Sequence, residues 1–201
     1  KVRKGLVLMD HKKRKQLTID FFNLLSLSNL TVIDPSSTGI SGDIENLTSL
    51  RNLIRIRLDD TEVSGDIAHL NSLLNLTEID FSETGISGDI AHLNSLQNLT
   101  EIYLYDTDVS GDIAHLKSLP KLTEIYLQST GVTGNIAHLE SLLNLTVIGL
   151  SNTGVTGVIA HLKSLPNLTD FRLGGTGVTG DKEAFHEYRE SEGLPYCDIY
   201  L

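Results

Sequence analysis

Seven leucines, Leu30, Leu53, Leu76, Leu99, Leu122, Leu145 and Leu168, recur at a constant 23-residue period without an insertion or deletion. Each opens a copy of one pattern, represented by the stretch from Leu99 to Lys121, LTEIYLYDTDVSGDIAHLKSLPK. Fixed self-similarity at this period means that one supersecondary unit is repeated, and such a unit cannot bury its apolar side alone. Its neighbours must stack on it to make a continuous core. A chain of 201 residues with 40% hydrophobic content would also suit an ordinary globular domain, but the period selects a solenoid of about eight to nine turns.

Each repeat can be given a path. Ile102 and Leu104 alternate as in a short strand, and with Leu99 they enter the core, while Glu101, Tyr103 and Tyr105 face away. Stacked copies place these strands about 4.8 Å apart in a parallel sheet. Val109 and Ile113 bring the chain back over the core, with Gly111 between them allowing a tight bend. Asp112 stands where an N-cap belongs, and Ile113-Ala114-His115-Leu116 predicts one short helical turn. Leu116 and Leu119 close the core. At about 1.5–3 kcal/mol per fully buried side chain, the apolar columns supply the driving force only when repeats are stacked.

The run Leu-x-x-Ile-x-Leu-x-x-Thr-x-Val, continued by Ser-Gly-Asp-Ile, resembles the leucine-rich repeat family, and the Ser-Gly-x-Ile continuation is similar to its plant-type subclass. The resemblance covers nearly the whole chain, with two departures. The family usually has Asn where this chain has Thr38, Thr61, Thr84, Thr107, Thr130, Thr153 and Thr176, and the unit is one residue shorter than the plant-type repeat. The resemblance implies an α/β solenoid with a parallel β-sheet on the concave face and short helical turns on the convex face. In the family the Asn bonds turn backbone and links adjacent repeats, so a buried threonine ladder is expected in its place.

The chain reads as a single domain, 1–201, with irregular ends. Residues 1–29 read as an N-terminal repeat or cap, in which Leu6, Leu8, Leu17, Phe21, Leu24 and Leu27 reach the apolar columns if four residues are inserted between Leu8 and Leu17. Lys12-Lys13-Arg14-Lys15 fits that insertion as a solvated loop, and also fits a nuclear-import signal or an anionic contact. Residues 30–179 hold the regular repeats, and 180–201 read as a cap. There DKEAFHEYRESEG has an Asp start, Phe185 and Tyr188 at helical spacing, and Gly193 as a stop. The strand pattern then returns at Tyr196 to Leu201, after an interval longer than the period. Pro35, in a column otherwise Leu or Phe, removes a ladder donor and predicts a weakened strand near the sheet edge. A start at Lys1 and a strand-like end at Leu201 read as an excised piece, with a signal, anchor or catalytic domain outside it.

Charge and motifs exclude several functions. The formal net charge is −10; residues 1–15 hold seven Lys or Arg against one Asp, a net +6, so residues 16–201 carry −16. A body this acidic does not bind nucleic acid through its phosphates. No apolar run approaches the roughly 18 residues of a membrane span. Cys197 is the only cysteine. It lacks a cationic activator in the sequence and reads as a packed thiol. The compartment stays open between cell surface or secreted, which the resemblance favours, and cytoplasmic, which the lack of cysteine-paired caps favours. His69, His92, His115, His138 and His161 form a column that invites a metal, but duplication with hydrogen bonding to the capping aspartates explains it better. Asn-Leu-Thr sequons at Asn29, Asn46, Asn75, Asn98, Asn144 and Asn167 mostly repeat one consensus position. No nucleophile, phosphate-loop or metalloprotease pattern is present, and no cofactor or metal is implied.

The repeats disagree in the columns that alternate with the core. Those positions carry Arg55 and Arg57, then Glu78 and Asp80, then Glu101, Tyr103 and Tyr105, then Glu124, Tyr126 and Gln128, then Gly149 and Ser151, then Arg172. A constant core beneath a varied surface predicts a non-enzymatic recognition module that binds a protein or peptide on the concave face. Tyr103, Tyr105 and Tyr126 would be the anchors, ringed by Glu78, Asp80, Glu101, Asp106 and Glu124, with a basic partner preferred. One alternative is the targeting domain of a receptor kinase or ubiquitin ligase. Another is an ice-binding solenoid, which the regular column of Thr77, Thr100, Thr123, Thr146 and Thr169 supports.

Overall fold

The computed structural model describes the backbone of residues 5–7 and all of residues 29–201, so most of the segment expected to form an N-terminal cap, including the expected loop at Lys12–Lys15, lies outside the described residues. Strands numbered along the chain form two parallel sheets. The first holds β1 (Gly5–Val7), β2 (Val32–Asp34), β4 (Arg55–Arg57), β6 (Glu78–Asp80), β8 (Glu101–Tyr103), β10 (Glu124–Tyr126), β12 (Val147–Gly149), β14 (Asp170–Arg172) and β16 (Asp198–Tyr200), in that spatial order. It is the concave face. Register follows the period: Ile102 pairs with Ile125 and Ile125 with Ile148, while Phe171 pairs with Ile199 across the longer final interval.

The bend expected at Gly111 is instead a second sheet. It is built from β3 (Ser41–Asp43), β5 (Glu62–Asp66), β7 (Gly85–Asp89), β9 (Asp108–Asp112), β11 (Gly131–Asn135), β13 (Gly154–Val158) and β15 (Gly177–Thr179). Val109 and Ile113 are fully buried on either side of Gly111, as expected. Gly111 has φ +112°, a backbone state that lets the ladder continue while the chain turns Ile113 inward. Asp112 then accepts the Ala114 N–H at 2.8 Å and caps a 3-10 turn, Ile113–Ser118. Asn135 caps in the same way, whereas Val158 makes no side-chain cap bond. Between the two sheets and the convex 3-10 turns lies one continuous core of Leu, Ile, Val and Phe.

Threonines link the repeats, but through a different column from the one expected. Thr107 Oγ1 donates to Leu104 O at 2.6 Å, and Thr38, Thr61, Thr84, Thr130, Thr153 and Thr176 likewise bond three residues back within their own turn. A hydroxyl on this shorter side chain closes its local turn and goes no further. The ladder runs through Thr77, Thr100, Thr123, Thr146 and Thr169, each donating to the carbonyl one repeat earlier, as Thr123 Oγ1 does to Thr100 O at 2.9 Å. Asn75, Asn98, Asn144 and Asn167 do the same with their amides at 2.9–3.0 Å. The hydroxyls proposed as an ice-contact array are therefore committed to the backbone.

Pro35 weakens the strand pairing near the sheet edge, as expected: β2 lies one strand in from the edge, between β1 and β4, and Pro35 follows it. In the same column Leu58, Leu104, Leu127 and Leu150 each donate an N–H to the next repeat at 2.8–2.9 Å. Proline lacks that donor, and β2 pairs β4 over two residues where the other neighbours pair over three.

The C-terminal helix α1 (Lys182–Ser191) starts at Asp181, whose carboxylate accepts the Ala184 N–H at 3.1 Å, and ends before Gly193 at φ +67°. Phe185 is buried as expected, but Tyr188 is only half-buried, under the Lys163 ammonium at 4.0 Å. The second buried residue is Arg189, 1% exposed. Its guanidinium donates to the carbonyls of Pro195, Lys163, Leu165 and Leu168 at 2.7–3.0 Å, closing the last repeat. Cys197 is packed beneath the helix, and its thiol is pushed up to about 11, chiefly by burial. The cation missing from the sequence reading is present in Arg189, and burial outweighs it.

Candidate functional site

Side chains that point away from the core on the nine-stranded sheet form a surface organised strand by strand. Arg55 and Arg57 on β4 face Glu78 and Asp80 on β6 in register. Glu78 is only 4% exposed and is not the open rim carboxylate expected. Arg55 Nε meets one of its oxygens at 2.6 Å and Arg57 Nε the other, more closely. Two long guanidinium side chains folding over one carboxylate from the neighbouring strand remove it from water. Arg57 is held above its ordinary pKa, first by the hydrogen bond to Glu78.

Asp80 is pushed up to about 6, mainly by burial and further by Asp59, against the Ser82 N–H at 3.1 Å and Arg57, which favour the charged form. Because the folded pKa lies above the unfolded value near 3.9, the native state binds the proton more tightly. The resulting penalty is absent below about pH 4 and complete above about pH 6. Asp80→Asn keeps an acceptor for Ser82 and is expected to raise stability at pH 7.5 by about 1–2 kcal/mol, discounted for partial exposure, and to change little at pH 4. Urea denaturation at the two pH values checks this.

Tyr103 and Tyr126, register partners on β8 and β10, stack with ring centroids 5.0 Å apart and planes 14° from parallel. The Tyr103 hydroxyl lies 3.1 Å from Glu101 and 2.8 Å from Glu124, so its single proton is donated to one carboxylate at a time. Burial, then the Glu124 bond, holds this hydroxyl far above the ordinary tyrosine range. Tyr126 is raised too, by burial and then by Glu124. Tyr105 does not join the pair. It is half-exposed in the turn after β8, where burial and the charges of Asp80, Glu83 and Asp59 raise its pKa. Asp106 follows at φ +53°, exposed, with its N–H on Gln128 O at 2.9 Å.

Beyond Tyr126 the surface changes. Gly149 on β12 has no side chain, and Gln128 leans over it. Arg172 on β14 is drawn onto Asp170 of its own strand, Nε at 3.0 and 3.1 Å and Nη2 at 2.7 Å. The sheet thus carries an arginine–glutamate cluster, a tyrosine pair between carboxylates, and an arginine–aspartate pair. The arginines on Glu78, and Glu124 among the partners of Tyr103, lie close to one period away in the chain, a relation that aligning the repeats in register would have revealed.

The histidine column lies on the convex turns. Each capping carboxylate is engaged by the backbone N–H two residues on, and among the described residues no Asp–His bond is found there. Asp43, Glu45 and His69 bring ligand atoms within 4.8 Å of one another at the surface. Asp43 is already spent on the Glu45 N–H at 2.8 Å.

No protein-family model and no curated protein sequence matches the chain. Solved structures do. The Arabidopsis receptor kinase HAESA, solved with the peptide hormone IDA and the co-receptor SERK1, is similar at 26% identity and a TM-score of 0.72, over 88% of this chain and 30% of that one. The plant peptide hormone receptor RGFR1, in complex with RGF2, is similar at 26% identity and a TM-score of 0.71, over 78% and 26%. An internalin C2 from Listeria monocytogenes shares the fold at 24% identity and a TM-score of 0.56, over 74% and 73%.

The chain is a leucine-rich repeat solenoid. It spans about a quarter to a third of the length of the plant receptors it matches. No helix among the described residues of the solenoid is long and apolar enough to cross a membrane.

Proposed function

We propose that the solenoid is a recognition module that binds a peptide or an extended protein segment on its nine-stranded face, with basic residues of the partner meeting Glu101, Glu124 and Asp80. The observation that carries this reading is the Tyr103–Tyr126 stack, held upright between two carboxylates. Such a pair offers a large amphipathic surface that is already ordered, so little side-chain entropy is lost on contact. The complexes of RGFR1 with RGF2 and of HAESA with IDA support a peptide partner by similarity. The acidic balance of residues 16–201 supports a basic one.

Fluorescence anisotropy with a panel of synthetic basic and acidic twelve-residue peptides tests this. Basic peptides are expected to bind and acidic ones not, and Tyr103→Ala with Tyr126→Ala to weaken binding at least tenfold. Because the rings are half-buried and stacked, that double variant is expected to lose about 1–2 kcal/mol of stability and remain folded. Equal binding of acidic peptides, or unchanged binding by the folded double variant, would overturn the proposal.

A further inference from the structure

We infer that α1 guards one edge of the nine-stranded sheet: Lys182 and His186 hold the outward carbonyls of β16, and without them this edge would pair with the same edge of a second copy of the chain. Asp198 donates its N–H to Thr169 O at 2.9 Å, and Tyr200 O accepts the Leu173 N–H at 2.6 Å, so both residues turn their peptide groups toward β14. Successive residues of a strand turn theirs to opposite sides. Those of Cys197, Ile199 and Leu201 therefore face away from β14, where no further strand lies among the described residues. An open row of this kind is a template for another strand.

Two side chains of α1 reach over that row. Lys182 Nζ donates to Ile199 O at 2.9 Å, and His186 Nε2 lies 2.8 Å from Cys197 O. A carbonyl only accepts, so that Nε2 carries a proton and donates it. The spacings agree: positions four apart on a helix rise about 6 Å and positions two apart on a strand about 6.6 Å, so one face of α1 follows the edge of β16. His186 is held in place by stacking on Tyr196, with ring centroids 4.8 Å apart. Arg189, three residues further on, fixes the same helix to the last repeat through Leu165 O and Leu168 O.

The row is complementary to itself, which makes a second copy its natural occupant. In an antiparallel pairing about a two-fold axis at Ile199, the Ile199 N–H of each copy meets Ile199 O of the other, and the Leu201 N–H meets Cys197 O. Both acceptors in that pairing are the carbonyls that Lys182 and His186 hold. The flanking side chains favour such a contact. Of the seven large hydrophobic side chains that stand exposed among the described residues, Tyr196, Tyr200 and Leu201 lie here, at 68%, 55% and 42%. An apolar margin beside an open ladder promotes association, and donors seated on the ladder's acceptors oppose it.

Sedimentation equilibrium over a wide range of concentration tests the guard, with circular dichroism to establish that each variant is folded. Lys182→Ala with His186→Ala is expected to dimerise at concentrations at least tenfold below any at which the unaltered protein associates. Adding Leu201→Pro removes an outward N–H and is expected to return that variant to the behaviour of the unaltered protein, whereas simple adhesion of Tyr196 and Tyr200 would survive the change. Lys182→Arg with His186→Gln keeps a donor at each place and is expected to behave as the unaltered protein does. Should loss of the half-buried His186 ring unfold the chain, Lys182→Ala alone, at an exposed position, frees Ile199 O and is expected to give a weaker dimer of the same kind. A folded double variant that associates no more than the unaltered protein, the same result from Lys182→Ala where the double variant does not fold, or a dimer that persists with Leu201→Pro, would overturn the guard.

Discussion

Arg189→Met is expected to lower the free energy of unfolding by about 3–5 kcal/mol, the cost of removing one partner from a buried charged contact. The guanidinium is 1% exposed and has no carboxylate beside it among the described residues; its partners are four carbonyl oxygens from the final repeat and the segment after the helix. Burial lowers its pKa from the ordinary value, yet arginine stays charged in proteins. Methionine matches much of the volume but leaves the carbonyls of Lys163, Leu165 and Leu168 without a donor, at about 1–3 kcal/mol for each that water cannot reach. Arg189→Lys is expected to recover little, because one ammonium cannot span four diverging acceptors. In a solenoid each repeat is stabilised only by its neighbours, so damage should spread inward from that end. Hydrogen exchange is expected to show loss of protection over residues 165–200 while β4 to β10 keep theirs. A loss below about 1 kcal/mol in urea would show that the carbonyls find other donors.

Gly111→Ala is expected to cost about 2–4 kcal/mol, for two separable reasons. The backbone at φ +112° strains any side chain, at about 1–3 kcal/mol. In addition, a Cβ there would overlap the Asp89 carboxylate of the preceding repeat and press on Ile90. Moving Asp89 breaks its bond to the Ala91 N–H, a helix cap worth about 1 kcal/mol. Asp89→Ala relieves the overlap, so the double variant Asp89→Ala with Gly111→Ala is expected to lose less than the sum of the single losses. Strict additivity in thermal or urea unfolding would mean that backbone strain alone is responsible.

What the sequence discloses and what it conceals divide by the range of the interaction. The core columns, the Asp caps and the limits of α1 follow from local spacing, and the residues at those positions behave as their neighbours dictate. The second sheet is concealed because Val109-Ser110-Gly111 alternates over too few residues to announce a strand, and because a glycine with positive φ imitates a bend. Tyr188 reads as core ahead of Arg189 because hydropathy ranks tyrosine above a cation; nothing within the helix reveals carbonyls collected from residues 163 to 168 and 195. On the concave face, sequence assigns exposure column by column. That rule suits Tyr103 and Tyr126, but not Glu78, whose burial depends on the identity of the residues one strand away. The burial of Gly149 likewise comes from Gln128, in the turn after β10 of the preceding repeat, since a glycine within a strand carries no signal of its own.

The threonine and asparagine ladders have a consequence for measurement of length. Every one of their bonds joins a repeat to the one before it, across the same atoms each time. Adjacent repeats therefore click into a single permitted offset, and the solenoid behaves as a graduated rule with marks about 4.8 Å apart. The arginines of β4 and Arg172 of β14 are separated by five such marks, about 24 Å. Removal of one repeat would bring them one mark closer and leave every remaining junction unchanged. Distances along this face are thus set in whole steps by copy number, and a partner that spans it must match an integer.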